Sequence, residues 1–174
     1  LGTDVGLRFK SCRGRGGVVK NIYIEDIVMM NIPTEPLLFD LHYGGKSAVE
    51  AAAEGASPFD VEYVEADETT PQFRDIYIKD VVCSGAARAM YFNGIPEKNI
   101  ENIVVEDCEI VSTKGADLRY SNGVQLKNVN ITQSEGQGYS VANCRNVLIE
   151  DCTDASGSES LNVFQHNSTN VKID

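Results

Sequence analysis

Five of the fifteen Lys and Arg residues (Arg8, Lys10, Arg13, Arg15 and Lys20) fall between positions 8 and 20, with no acidic residue among them. The whole chain carries 26 Asp and Glu residues and a formal net charge of −11, so this basic run is a local patch on an acidic protein. In Leu7-Arg8-Phe9-Lys10, apolar and basic residues alternate. A strand with that pattern turns Leu7 and Phe9 inward and sets Arg8 and Lys10 outward on one side, about 6.6–6.8 Å apart. A guanidinium fork beside an ammonium can receive a carboxylate, with Arg supplying geometry and Lys supplying charge. The same residues could equally form a solvated strand face. A nucleic-acid partner would need a broad basic surface, which the acidic balance excludes.

The other chemically capable residues point to structure. Cys12, Cys83, Cys108, Cys144 and Cys152 have no Cys-x-x-Cys spacing and are odd in number. They read as small buried apolar residues, not as a zinc site or a disulfide framework. Asp4 reads as a turn residue. Asp26, Asp80, Asp107 and Asp151 recur at matching places and could stack into a calcium site. Recurrence in every repeat favours capping of backbone groups at bends instead, because a metal site is local. The expectation is therefore no metal and no cofactor.

These residues must be positioned by repeated elements. The phrase Asn-apolar-any-apolar-polar-Asp/Asn-small begins at residues 21, 75, 102, 123, 146 and 170, most completely as Asn21-Ile22-Tyr23-Ile24-Glu25-Asp26-Ile27. The period lies in the twenties, and the first interval is about double that, one period carrying an insertion. Each phrase alternates and is rich in Ile and Val, so it predicts a strand with one buried face, and the apolar residue after the acid predicts a bend. A second set of short strands is expected over Gly6 to Ser11, Leu37 to His42, Ala89 to Gly94, Asp117 to Asn122, Gly138 to Asn143 and Leu161 to Gln165. The leucine-rich alternative is set aside because its Leu-x-x-Leu-x-Leu frame does not occur. The fold expected is all-β, a right-handed parallel β-helix of about six coils in a single domain over 1–174. Residues 44–70 form an inserted loop, with a short helix begun by the capping box Ser47-Ala48-Val49-Glu50. No apolar run approaches the length of a membrane span, so no membrane partner is expected. The chain opens at Leu1 without a leader pattern and reads as part of a longer protein.

Gly6-Leu7-Arg8-Phe9-Lys10-Ser11, followed by Arg13-Gly14-Arg15-Gly16-Gly17-Val18-Val19-Lys20-Asn21-Ile22, resembles glycoside hydrolase family 28, the polygalacturonases and related pectin hydrolases. Thr70-Pro71-Gln72-Phe73-Arg74-Asp75-Ile76 adds to the resemblance, and the family's Arg-Ile-Lys motif stands here as Arg8-Phe9-Lys10. The resemblance implies a parallel β-helix. It also implies that Arg8 and Lys10 bind the carboxylate of a galacturonate unit and that Tyr43 contacts the same substrate. His42 and His166 lack the glycine neighbours of the family's motif histidine and read as structural or surface residues. The family's catalytic aspartates lie in Asn-Thr-Asp and Asp-Asp motifs ahead of Arg-x-Lys, and no Asp-Asp pair or Gly-His-Gly occurs in this sequence. An inverting hydrolase needs an acid and a base carboxyl about 6.5–9.5 Å apart. No catalytic residue is therefore assigned.

The expectation is the C-terminal β-helix portion of a polygalacturonase-like, inverting hydrolase acting on pectic polysaccharide. It would be secreted or periplasmic, as the resemblance implies, and inactive as this chain alone. A non-catalytic β-helix carbohydrate-binding or adhesin module and a calcium-dependent pectate-lyase-like enzyme are the alternatives. An unpaired first coil would also favour self-association through its edge.

Overall fold

The structure is a computed structural model that describes residues 3–42, 59–157 and 160–174. It is all-β: β1 (Leu7–Lys10), β2 (Val18–Ile24), β3 (Ile27–Ile32), β4 (Leu37–Asp40), β5 (Gln72–Ala86), β6 (Arg88–Asn93), β7 (Ile100–Arg119), β8 (Ser121–Ala142), β9 (Arg145–Glu150), β10 (Val163–His166) and β11 (Thr169–Ile173). No helix occurs among the described residues. The helix expected near residues 47–55 lies outside them.

Every pairing between these strands is parallel, and each pairs a segment with its counterpart in a neighbouring repeat. Three ladders result. The first runs β1-β4-β6, then the end of β7, the end of β8 and β10. The second runs β2, then the starts of β5, β7 and β8, then β9 and β11. The third joins β3 to the later half of β5 and the middle of β7 and β8.

The recurring phrases are the strands of the second ladder. Ile22, Ile76, Ile103 and Val124 stack in register, as do Ile24, Ile78, Val105 and Leu126. From Ile76 and Ile78 onward these positions are buried, and the alternate residue, Tyr23 or Tyr77, points out. The interior is a continuous apolar column. Under β1 it begins with an aromatic stack, Phe9 on Phe39 with centroids 4.5 Å apart and Phe39 on Phe92 at 4.5 Å.

The bends fall on the recurring polar residues. Asp26, Asp80, Asp107, Asn128 and Asp151 all have positive φ, between 49° and 60°, where the second ladder turns into the third. Asn21, Asp75, Asn102, Asn146 and Asn170 are also left-handed, as is Gly123 in the same row. Asn and Asp tolerate this region because a short polar side chain can bond locally. Their side chains link successive repeats: Asn102 Nδ2 donates to Asp75 Oδ1 at 2.7 Å, Asn128 Nδ2 to Asp107 Oδ1 at 2.7 Å, and Asn170 Nδ2 to Asn146 Oδ1 at 2.6 Å. The periodic acids thus sit at the bends. No group of three or more His, Cys, Asp or Glu side chains among the described residues comes together to hold a metal.

One expected strand is interrupted. The stretch from Asp117 to Asn122 breaks at Tyr120, which has φ 46° and separates β7 from β8. The left-handed region is an outlier for a bulky side chain. Here burial holds the ring, and the Tyr120 hydroxyl accepts a hydrogen bond from the Val61 backbone N–H at 2.8 Å. The cysteines are free thiols, with Cys83, Cys108 and Cys144 buried and Cys12 and Cys152 half-buried. Burial pushes the Cys108 thiol up to about 11 and the Cys144 thiol up to about 12, so both stay protonated and inert.

Candidate ligand-binding face

The first ladder carries two rows in register with Arg8 and Lys10, exposed at β1 but buried at Leu38 and Ala142. One is Arg8, Leu38, Tyr91, Asp117, Ser140 and Phe164, and the other is Lys10, Asp40, Asn93, Arg119, Ala142 and His166. The alternation read from the sequence holds in β1. Arg8 and Lys10 are exposed, while Leu7 and Phe9 are half-buried against the core. Both cations therefore lie on one side of the wall. Tyr43 lies outside the described residues.

Beside Lys10 in register sits Asp40, whose Oδ1 accepts from the His42 backbone N–H and from Asn93 Nδ2, both at 2.9 Å. His42 Nε2 lies 2.8 Å from the Gly94 carbonyl. A carbonyl only accepts, so Nε2 is the donor and carries the proton.

The basic run divides into two uses. Arg13 is held by Glu97: its Nε and Nη2 reach both carboxylate oxygens, the latter at 2.7 Å, and Nη2 also donates to the Glu62 carbonyl at 2.9 Å. Burial pushes Glu97 up, but the hydrogen bonds from Arg13 and the backbone outweigh it, so its carboxyl titrates below the ordinary range. The Glu97 bond likewise raises Arg13. Arg13 is thus an internal tie between the turn after β1 and the turn after β6.

Farther along the same ladder the sequence reading missed a second group. Asp117 Oδ2 accepts from Arg119 Nη2 at 2.7 Å and Oδ1 from Arg119 Nε at 3.0 Å. Burial works against the Arg119 charge, but the bonds and field of Asp117 prevail and raise its pKa. Arg88 approaches from the neighbouring strand, its Nη1 4.0 Å from Asp117 Oδ2 and its Nε 3.9 Å from Glu35 Oε1. The Tyr91 ring lies close to both guanidinium groups, 4.2 Å from Arg88 Cζ and 5.4 Å from Arg119 Cζ. Phe59 and Phe164 pack with centroids 5.6 Å apart, and Arg119 Cζ lies 5.1 Å from the Phe59 ring. Phe59, Arg88, Asp117, Arg119 and Phe164 line a cleft of about 630 Å³, together with Lys114, Glu135 and Ser140, a size within the usual range for small-molecule sites. The described end of the insertion lies against this face, since the Phe59 carbonyl accepts from Asn143 Nδ2 at 2.6 Å.

Aligning the repeats would have placed Asp117 in the row of Arg8 and Arg119 in the row of Lys10. The aromatic walls and Arg88 had no such signal, because they come from separate repeats and from the insertion. The face as a whole sets cationic groups beside aromatic rings. No family model, no curated protein and no solved structure matches the chain.

Proposed function

We propose that the chain is a right-handed parallel β-helix of about six coils that binds galacturonate units of pectic polysaccharide. In this reading it is the carboxylate-binding part of a polygalacturonase-like glycoside hydrolase of family 28, secreted or periplasmic. The hydrolytic aspartates of the parent lie outside these residues, and the isolated chain is inactive. Parallel crossover connections are right-handed in nearly all proteins, which supports the hand. The observation that carries the functional reading is the pair Arg8 and Lys10, both exposed on the outer side of β1. Anchored by Leu7 and Phe9 below, they present a fork and a point charge to one carboxylate. Tyr43 is the proposed third contact.

Calorimetric titration with trigalacturonate tests this. The chain should bind the acidic trisaccharide, should ignore its neutral galactose counterpart, and should bind equally well in the presence of a chelator. Charge-assisted hydrogen bonds contribute about 1.5–3 kcal/mol each, so Arg8→Ala with Lys10→Ala should weaken binding at least about tenfold. Unchanged affinity in that double variant overturns the reading. Release of reducing ends from polygalacturonate by this chain would overturn the placing of the acids elsewhere.

A further inference from the structure

We infer that His166 and Asp60 form an acid-operated latch, which fastens residues 59–64 of the insertion across the turns of successive repeats when the imidazole gains a proton. Residues 59–71 carry no strand, so this segment is held by individual contacts and not by a ladder. It crosses the repeats in reverse order. The Phe59 carbonyl accepts from Asn143, in the turn after β8, at 2.6 Å. The Val61 N–H donates to the hydroxyl of Tyr120, in the turn after β7, at 2.8 Å. The Glu62 carbonyl accepts from Arg13 at 2.9 Å, and the Val64 N–H donates to the Glu97 carboxylate in the turn after β6. The segment is thus a strap over three consecutive turns.

The two ends of the strap are charged differently. At Glu62 and Val64 the fastening groups, Arg13 and Glu97, are already an ion pair. At Phe59 and Asp60 the fastening depends on a histidine. His166 Nε2 stands 3.9 Å from Asp60 Oδ1, and its ring lies 5.2 Å from the Phe59 ring. A neutral imidazole offers Asp60 no charge. A protonated one becomes both an ion-pair partner for Asp60 and a cation beside Phe59. Both gains fall on adjacent residues of the strap and act in the same direction. Histidine is the side chain that changes charge between about pH 5 and 8.

The neighbouring groups leave this contrast in place. Arg119 lies against Phe59 and two rungs from His166 in the same row, but Asp117 holds it. The Tyr120 hydroxyl stays protonated, because burial pushes it up. Lys114 and Glu135 line the same cleft as Phe59 and, as neighbours in register, offset each other. Phe59 is one wall of that cleft, so the latch sets how firmly the wall is held. The inference is independent of the galacturonate reading.

Amide hydrogen exchange of the whole chain, followed by NMR and corrected for intrinsic rates, tests the latch. The His166 and Asp60 side chains are 40% and 61% exposed, so the effect is modest. Protection of the Val61 N–H should rise about fivefold from about pH 8 to about pH 5.5, with that of Ile103 and Val105 in β7 unchanged. Glu97 stays ionised throughout this range, since its carboxyl titrates below the ordinary value. His166→Gln should remove the rise, and Asp60→Asn should cut it to about twofold. A flat wild-type profile overturns the latch, and so does a full rise retained in either variant. If His166→Gln does not fold, Asp60→Asn decides by the same criterion. A rise shared equally by Ile103 and Val105 also overturns it, because the whole fold and not the strap would then respond to pH.

Discussion

Two regions of one outward face handle positive charge differently. On β1, Arg8 and Lys10 stand exposed on a strand whose inner residues are only half-buried. On β6 and β7, Arg88 and Arg119 are drawn down against Tyr91 and around Asp117, over an interior that is sealed at Met90, Phe92, Ala116 and Leu118. The first region is recognisable from four consecutive residues, and its two cations stand exposed. The second draws on several repeats, and its guanidinium groups are already oriented. Orientation before binding lowers the entropic cost of holding a ligand.

The comparison breaks most severely if the shared interior is cut beneath the first region. Phe39 is fully buried between Phe9 and Phe92. Phe39→Ala should cost about 3–5 kcal/mol in urea denaturation, as large buried aromatics do. Hydrogen exchange should show amides of β1 losing more protection than those of β7 and β8, and uniform loss would show that the two regions share one cooperative unit.

Next in size is the tie between Arg13 and Glu97, which fastens the turn after β1. Glu97→Gln should cost about 2 kcal/mol at pH 7, since it removes charge-assisted hydrogen bonds. The folded Glu97 titrates below its ordinary value, so its contribution is complete above the unfolded value of about 4.3 and is lost as pH falls through the lowered folded value. The melting-temperature gap between wild type and variant should therefore be widest at neutral pH and shrink as pH falls below the unfolded value and through the lowered folded one. A gap that persists at lower pH would mean that the carboxylate charge is not what holds the turn.

The smallest effect should come from a bend remote from both regions. Asn102 has φ 50° and donates to Asp75 at 2.7 Å. Asn102→Ala should cost about 1–2 kcal/mol, and Asn102→Gly less, because glycine carries no left-handed penalty. Equal losses in thermal unfolding would assign the cost to the lost hydrogen bond alone.

Much of this architecture could be read from the order of residues. Ile76 and Ile78 are buried with Tyr77 between them facing out, as the alternation requires. Asp80 and Asp107 bend the chain where the period breaks, because their left-handed conformation is a local property of short polar residues. Tyr120 could not be foreseen as a corner, since its backbone is held by burial and by a contact from Val61 in the insertion. Arg13 looked like a member of the outward cationic patch, and only the three-dimensional path brings Glu97 to it. The Arg88 cleft was illegible for the same reason, as its walls meet through strand register and the described end of the insertion.

The account depends most on where an acidic sugar sits. A crystal structure of the chain with bound trigalacturonate tests that placement directly. The account predicts a ligand carboxylate within hydrogen-bond distance of the Arg8 guanidinium and the Lys10 ammonium on the outer side of β1. A trisaccharide bound on the second or third ladder, with Arg8 and Lys10 both out of its reach, would contradict it.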